Sequence, residues 1–165
     1  MLQELGDRFL VFHDLPSPYG NIDHLVVSRE AVFLIETKAH GGRVSVINGE
    51  LQVNQKPPEK DFIAQVLRNT AWLSEQLEAK LSTRIWIESI LVFTSAFVEN
   101  SKLIGNIQVI PKAYLVNTIV RSSQSGGAWK LWENKEVLAE IFRQFGSRRN
   151  PIRILRRLLI HHRLT

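Results

Sequence analysis

The spacing of apolar positions changes along the chain, and each change marks an element. Phe9–His13 is a short apolar run that predicts a strand, closed by Leu15-Pro-Ser-Pro-Tyr-Gly20, where two prolines and a glycine predict an irregular loop. Ile22–Val27 and Val32–Lys38 are rich in Val, Ile, Leu and Phe, and Ser28–Ala31 between them predicts a β-hairpin. Arg43–Ile47 alternates polar and apolar residues, Asn48-Gly49 supplies a turn pair that tolerates positive φ, and Glu50–Asn54 returns as a second hairpin. Lys56-Pro-Pro-Glu-Lys60 breaks the sheet pattern. Asp61 is placed to cap a helix, and Val66, Thr70, Leu73 and Leu77 then recur at helical spacing to about Leu81. Ile85–Phe93 and Ile107–Ile110 read as further strands, Ser122–Gly127 as a surface loop, and Asn134–Phe145 as a helix stopped by Gly146. The order predicts one α/β domain over residues 1–146 with a mostly antiparallel front sheet. A segment of different character, 147–165, follows.

Composition sharpens this picture in two ways. With 165 residues, 44% hydrophobic and 22% charged, the chain fits one globular domain able to bury a core. It has no cysteine, which excludes disulfides and thiolate metal sites. With no secretory-type apolar run near the start and no membrane-length apolar stretch, the expected location is cytoplasmic. The net charge of +5 is unevenly placed. Residues 146–165 carry six arginines and no acidic residue, so 15 of the 21 basic residues face 16 acidic ones in the body. The basicity therefore belongs to the tail. From Pro151 onward, Ile152, Leu155, Leu158 and Leu159 form an apolar stripe beside Arg153, Arg156, Arg157 and Arg163. Three readings stay open for this amphipathic helix: docking on the domain, contact of Arg148, Arg149, Arg153, Arg156 and Arg157 with nucleic-acid phosphates, or contact with an anionic membrane surface.

The candidate chemistry lies in the first hairpin. With Arg29-Glu30 as a two-residue turn, Leu25 opposes Leu34 and Asp23 opposes Glu36. Directly opposed side chains stand about 5 Å apart, and Lys38, two residues beyond Glu36, projects from the same face. The flanking residues are apolar on both faces, so these read as central strands, where carboxylates need a partner. Two adjacent carboxylates repel unless one takes a proton or a cation lies between them. Mg²⁺, with Mn²⁺ as an alternative, takes oxygen ligands of this kind and activates water for attack on a phosphodiester.

Other residues carry less. His24 points away from Asp23 and reads as a packed structural histidine, whereas His13 and His40 read as loop-proximal. His161-His162 lacks partner ligands nearby in sequence. Trp72 and Trp86 are expected in the core, and Trp129-Lys-Leu-Trp132 is compatible with an exposed patch.

The run Gly20-Asn-Ile-Asp-His-Leu-Val-Val-Ser28, then Val32-Phe-Leu-Ile-Glu-Thr-Lys38 and Gly41-Gly-Arg-Val44, with Pro58 and Gln65 following, resembles the NERD (nuclease-related) domain of the PD-(D/E)xK nuclease superfamily. The resemblance spans roughly residues 5–115. It implies a restriction-endonuclease-like α/β core: a mixed central sheet with an antiparallel front hairpin, flanked by helices. It further implies that Asp23, Glu36 and the Thr37 carbonyl hold Mg²⁺, that Lys38 is the catalytic lysine, and that Gln65 reaches the site from its helix. The implied activity is metal-dependent hydrolysis of nucleic acid, chiefly DNA. The alternative is a degenerate module that binds nucleic acid or a partner protein without cutting. Family members usually carry a longer N-terminal helix whose Gly-Glu pair completes the acidic cluster; here only Leu2-Gln-Glu-Leu5 precedes the first strand, and Glu4 lies close to it.

Overall fold

The computed structural model describes residues 2–122 and 126–145. A 3₁₀ turn, Leu2–Glu4, leads into three strands, β1 (Leu10–Ser17), β2 (Gly20–Val27) and β3 (Val32–Ile47). These are followed by β4 (Glu50–Val53), helix α1 (Phe62–Leu81), β5 (Glu88–Val98), β6 (Lys102–Ile104) and β7 (Ile107–Pro111). A second 3₁₀ turn (Lys112–Tyr114) runs into α2 (Leu115–Arg121), and α3 (Ala128–Glu133) and α4 (Glu136–Phe145) complete the described chain.

The seven strands form one sheet of order β1-β2-β3-β5-β7-β6, with β4 paired to the far half of β3. β1–β2, β2–β3, β3–β4 and β6–β7 are antiparallel, whereas β3–β5 and β5–β7 are parallel. The sheet is therefore mixed, as a restriction-endonuclease-like core requires, with the expected antiparallel front in β1–β4 and parallel pairing through β3, β5 and β7. Two apolar layers cover it. Leu25, Leu34, Leu91 and Val109 pack with Leu73 and Leu77 of α1 and with Leu138, Ile141 and Phe142 of α4. On the other face Val26, Phe33, Ile35, Ile90 and Val92 pack against Leu2 and against Leu115 and Ile119 of α2. β3 thus supplies apolar residues to both faces, with Ala31–Glu36 all buried.

The β2–β3 register places Leu25 opposite Leu34 and His24 opposite Ile35, as the two-residue turn predicts. The turn is closed by the Ser28 hydroxyl, which accepts hydrogen bonds from the amides of Glu30 and Ala31. The second hairpin also holds, with Asn48 and Gly49 at φ of 52° and 81° and Ile47 paired with Glu50. Asp61 caps α1 by accepting from the Ala64 amide.

Several boundaries differ from expectation. β1 runs on through Leu15 and Pro16, which pair with Ile22 and Asn21, so only Pro18 and Tyr19 are left for the turn. Proline is tolerated because β1 is an edge strand with no ladder on its outer side. The stretches 32–38 and 43–47 are one 16-residue strand, bent where its register with β5 shifts between Lys38 and Gly41. β5 starts three residues later than Ile85 and runs to Val98, because its last part pairs with the far half of β3. The helix expected over Asn134–Phe145 is α4 and begins at Glu136, and a short helix that the sequence did not announce, α3, precedes it. Trp72 is buried, but Trp86 is 51% exposed, because it lies in the irregular lead-in to β5 rather than on a packed strand. Trp129 is likewise half exposed, while Trp132 packs against the core. Gly146 and the segment 147–165, with its arginines, lie outside the described residues.

Leu73 is fully buried between α1 and the sheet, and Leu73→Ala should cost about 2–5 kcal/mol in urea unfolding. Asp61→Ala, which removes only the helix cap, should cost about 1 kcal/mol in the same measurement.

Candidate functional site

The site forms where β2 stops pairing with β3. Their ladder ends at His24–Ile35, and the next residues of each strand, Asp23 and Glu36, stand beyond the last rung. Asp23 uses the freed backbone: its Oδ2 accepts from the Thr37 amide at 2.7 Å and from the Thr37 hydroxyl at 2.6 Å. These two bonds fix the carboxylate against the strand that carries Glu36 and Lys38.

Glu36 is 2% exposed in the middle of the sheet. Its Oε1 accepts from Lys38 Nζ at 2.5 Å. Its Oε2 is buried and has no hydrogen-bond partner. Burial raises the Glu36 pKa above the ordinary carboxylate range; the hydrogen bond from Lys38 opposes this, and the nearby charge of Asp23 adds to it. A carboxylate whose ionisation is disfavoured, beside a second carboxylate and with one oxygen lacking a partner, matches a site that takes a hard cation.

Lys38 is held on three sides. Besides Glu36, its Nζ donates to Gln65 Oε1 at 3.2 Å and lies 4.7 Å from the centre of the Phe62 ring. Phe62 and Gln65 are one turn apart at the start of α1, so the Asp61 cap that fixes the helix end also aims both of them. One further turn on, buried Asn69 accepts from the Ser17 hydroxyl at 2.6 Å and ties α1 to the β1–β2 hairpin. The fold therefore brings Asp23, Glu36, Thr37, Lys38 and Gln65 to one place. Phe62 escaped sequence reading, although its position three residues before Gln65 put it on the same helix face.

The histidines are placed differently from one another. His24 is half-buried on the opposite side of β2 from Asp23, with its Nδ1 2.7 Å from Nδ1 of His13 on β1. Burial, then the neighbouring His13, lowers the His24 pKa, with Asp23 acting the other way. His13 thus lies inside β1 rather than at its end. His40 sits at the β3 register shift with its ring 5.0 Å from that of Phe62. Glu4 lies among Phe93, Thr94 and Lys112. Among the described residues no group of three or more His, Cys, Asp or Glu side chains forms a metal-binding set.

The profile of the nuclease-related domain matches residues 1–94, more than half of the chain. The chain belongs to the NERD family. The matched span runs from the first 3₁₀ turn through Thr94 of β5, so all five site residues lie within the NERD region, whose wider context is the PD-(D/E)xK superfamily. No curated relative and no solved structure matches the chain.

The raised pKa of Glu36 has a consequence for stability in the metal-free protein. The native state holds this proton more tightly than the unfolded chain, so stability falls as pH rises from the unfolded value through the elevated native one. Glu36→Gln removes that penalty while leaving Lys38 its contacts with Gln65 and Phe62. In EDTA the variant should melt above the parent at neutral and alkaline pH, with the gap closing as pH falls through the Glu36 pKa. A gap that widens on acidification would contradict this.

Proposed function

We propose that this NERD domain is a Mg²⁺-dependent nuclease that hydrolyses phosphodiester bonds in nucleic acid, with DNA as the expected substrate. The observation that carries the proposal is the buried Glu36 Oε2 without a partner, next to the fixed carboxylate of Asp23. The donors within reach are all oxygens: Asp23, Glu36 and the Thr37 carbonyl. That set suits Mg²⁺ or Mn²⁺ and no soft metal. Bound there, the ion would lower the pKa of water and offset negative charge on the scissile phosphate.

The protein's own groups account for the rest. The Thr37 amide and hydroxyl hold the Asp23 carboxylate and aim it. Gln65 and Phe62 hold the Lys38 ammonium so that it can turn from Glu36 toward the phosphate and balance its developing charge. Substrate contact would extend to Arg148, Arg149, Arg153, Arg156 and Arg157. Among the described residues no helix is long and apolar enough to cross a membrane; a cytoplasmic location belongs with this proposal.

A second reading is favoured by a specific observation. No third acidic side chain joins Asp23 and Glu36 among the described residues, and Glu4 lies elsewhere. On that reading the domain binds nucleic acid without cutting it. Incubation with single- and double-stranded DNA and RNA in Mg²⁺ or Mn²⁺ separates the two. The nuclease reading expects metal-dependent cleavage that falls about 10²-fold or more in Asp23→Ala and Lys38→Ala, in keeping with loss of a preorganised charge-stabilising group. Retained binding with no cleavage of any substrate would support the second reading instead. Deleting residues 146–165 should weaken binding in either case and flatten its salt dependence, because five phosphate-contacting arginines are lost.

A further inference from the structure

β5 outlasts β7. The parallel ladder between them ends at Phe93–Pro111, but β5 continues to Val98 alongside β3. Beyond Pro111 the β7-side edge of β5 is therefore left without a strand neighbour, and the chain turns there into the 3₁₀ turn and α2. The step opens a cleft of about 690 Å³ lined by Thr94 and Ala96 of β5, Lys112, Val116 and Asn117 after β7, and Glu4 of the first 3₁₀ turn. It lies at the carboxyl ends of the parallel strands β5 and β7, between the first 3₁₀ turn and α2, where open α/β sheets place ligands.

Two features tie this cleft to the catalytic strand. Phe93, which lines it, is the ladder partner of Lys38, and the next residue, Thr94, donates through Oγ1 to the Lys38 carbonyl at 3.4 Å. β7 lies two strands from β3, which at ~4.8 Å per strand puts Lys112 about 10 Å from the Lys38 backbone. That distance equals about three nucleotides at the 3.4 Å rise of a duplex strand, and fewer in an extended single strand. Lys112 is exposed and has no ion-pair or hydrogen-bond partner among the described residues. A cation, a hydroxyl and an amide around an open groove suit a phosphodiester backbone with its sugar oxygens.

We propose that the Thr94–Lys112–Asn117 cleft is a backbone-binding subsite for the nucleic-acid strand as it leaves the scissile position. This rests on the nuclease-related reading of the Asp23–Glu36 site and adds a direction to it: the strand crosses the lip of β3 and β5 and drops onto the face covered by α2. Lys112 pairs with a phosphate a few nucleotides from the cut, and Thr94 and Asn117 hydrogen-bond the same stretch. Glu4 opposes the bound anion and limits its affinity.

Fluorescence anisotropy with a long oligonucleotide and with a dinucleotide, both in EDTA, tests this on the full chain. Lys112→Glu should weaken binding of the long oligonucleotide about tenfold at low salt, leave the dinucleotide unchanged, and reduce the salt slope by about one. Asn117→Asp should act in the same direction, and Glu4→Gln should tighten binding. All three positions are exposed, so unchanged circular dichroism is expected and guards against misfolding. Binding by the parent that Lys112→Glu leaves intact, or weakens equally for the dinucleotide, would overturn the subsite while sparing the nuclease-related reading. A parent that binds no nucleic acid at all would overturn that reading itself, and the subsite with it.

Discussion

A carboxylate buried at the centre of an apolar sheet sets the terms for this structure. Glu36 follows four fully buried aliphatic and aromatic residues on β3 and is itself only 2% exposed. A group in that position is stable only if it is protonated, paired or bound to a cation. Lys38 answers for one oxygen and the other is left without a partner. Around this constraint the neighbouring elements are arranged: β2 parts from β3 just before it, Asp23 turns to the Thr37 amide, and α1 delivers Phe62 and Gln65 to Lys38. The arrangement costs the folded state some stability and concentrates charge where a phosphate could be attacked, as is common at functional sites.

The hairpin that carries the site was legible because its information is local. Two apolar runs around a four-residue turn leave few registers, and a slip by one residue would bury Lys38 and Glu36 on the wrong face. Gln65 was placed at the site by the family resemblance alone, since the local pattern gives the helix and its Asp61 cap but not where the helix docks. Elements governed by long-range pairing were less readable. That Pro16 belongs to a strand depends on β1 being an edge, and the 16-residue span of β3 depends on β5 running alongside it. β6, with three residues, carries too little pattern of its own, and Trp86 reads as core until the irregular lead-in to β5 is seen.

The candidate site was legible in its members but not in its supports. Asp23, Glu36 and Lys38 follow from pairing rules, while the hydroxyl of Thr37 and the ring of Phe62 are seen only once β2 and β3 separate and α1 docks. Glu4, near in sequence to the first strand, lines the same cleft as Lys112, because Leu2 of its 3₁₀ turn packs on the face that α2 covers. Membership of the NERD family fixes the kind of domain; the two-carboxylate geometry is what any account of its chemistry has to satisfy.

The central claim is that Asp23 and Glu36 hold a divalent cation together. Calorimetric titration of Mn²⁺ into the metal-free protein addresses it without reference to substrate or turnover. One saturable site per chain in the parent, absent from both Asp23→Asn and Glu36→Gln with their folds intact, is the predicted result. Equal binding by parent and variants, or none by the parent, would contradict it.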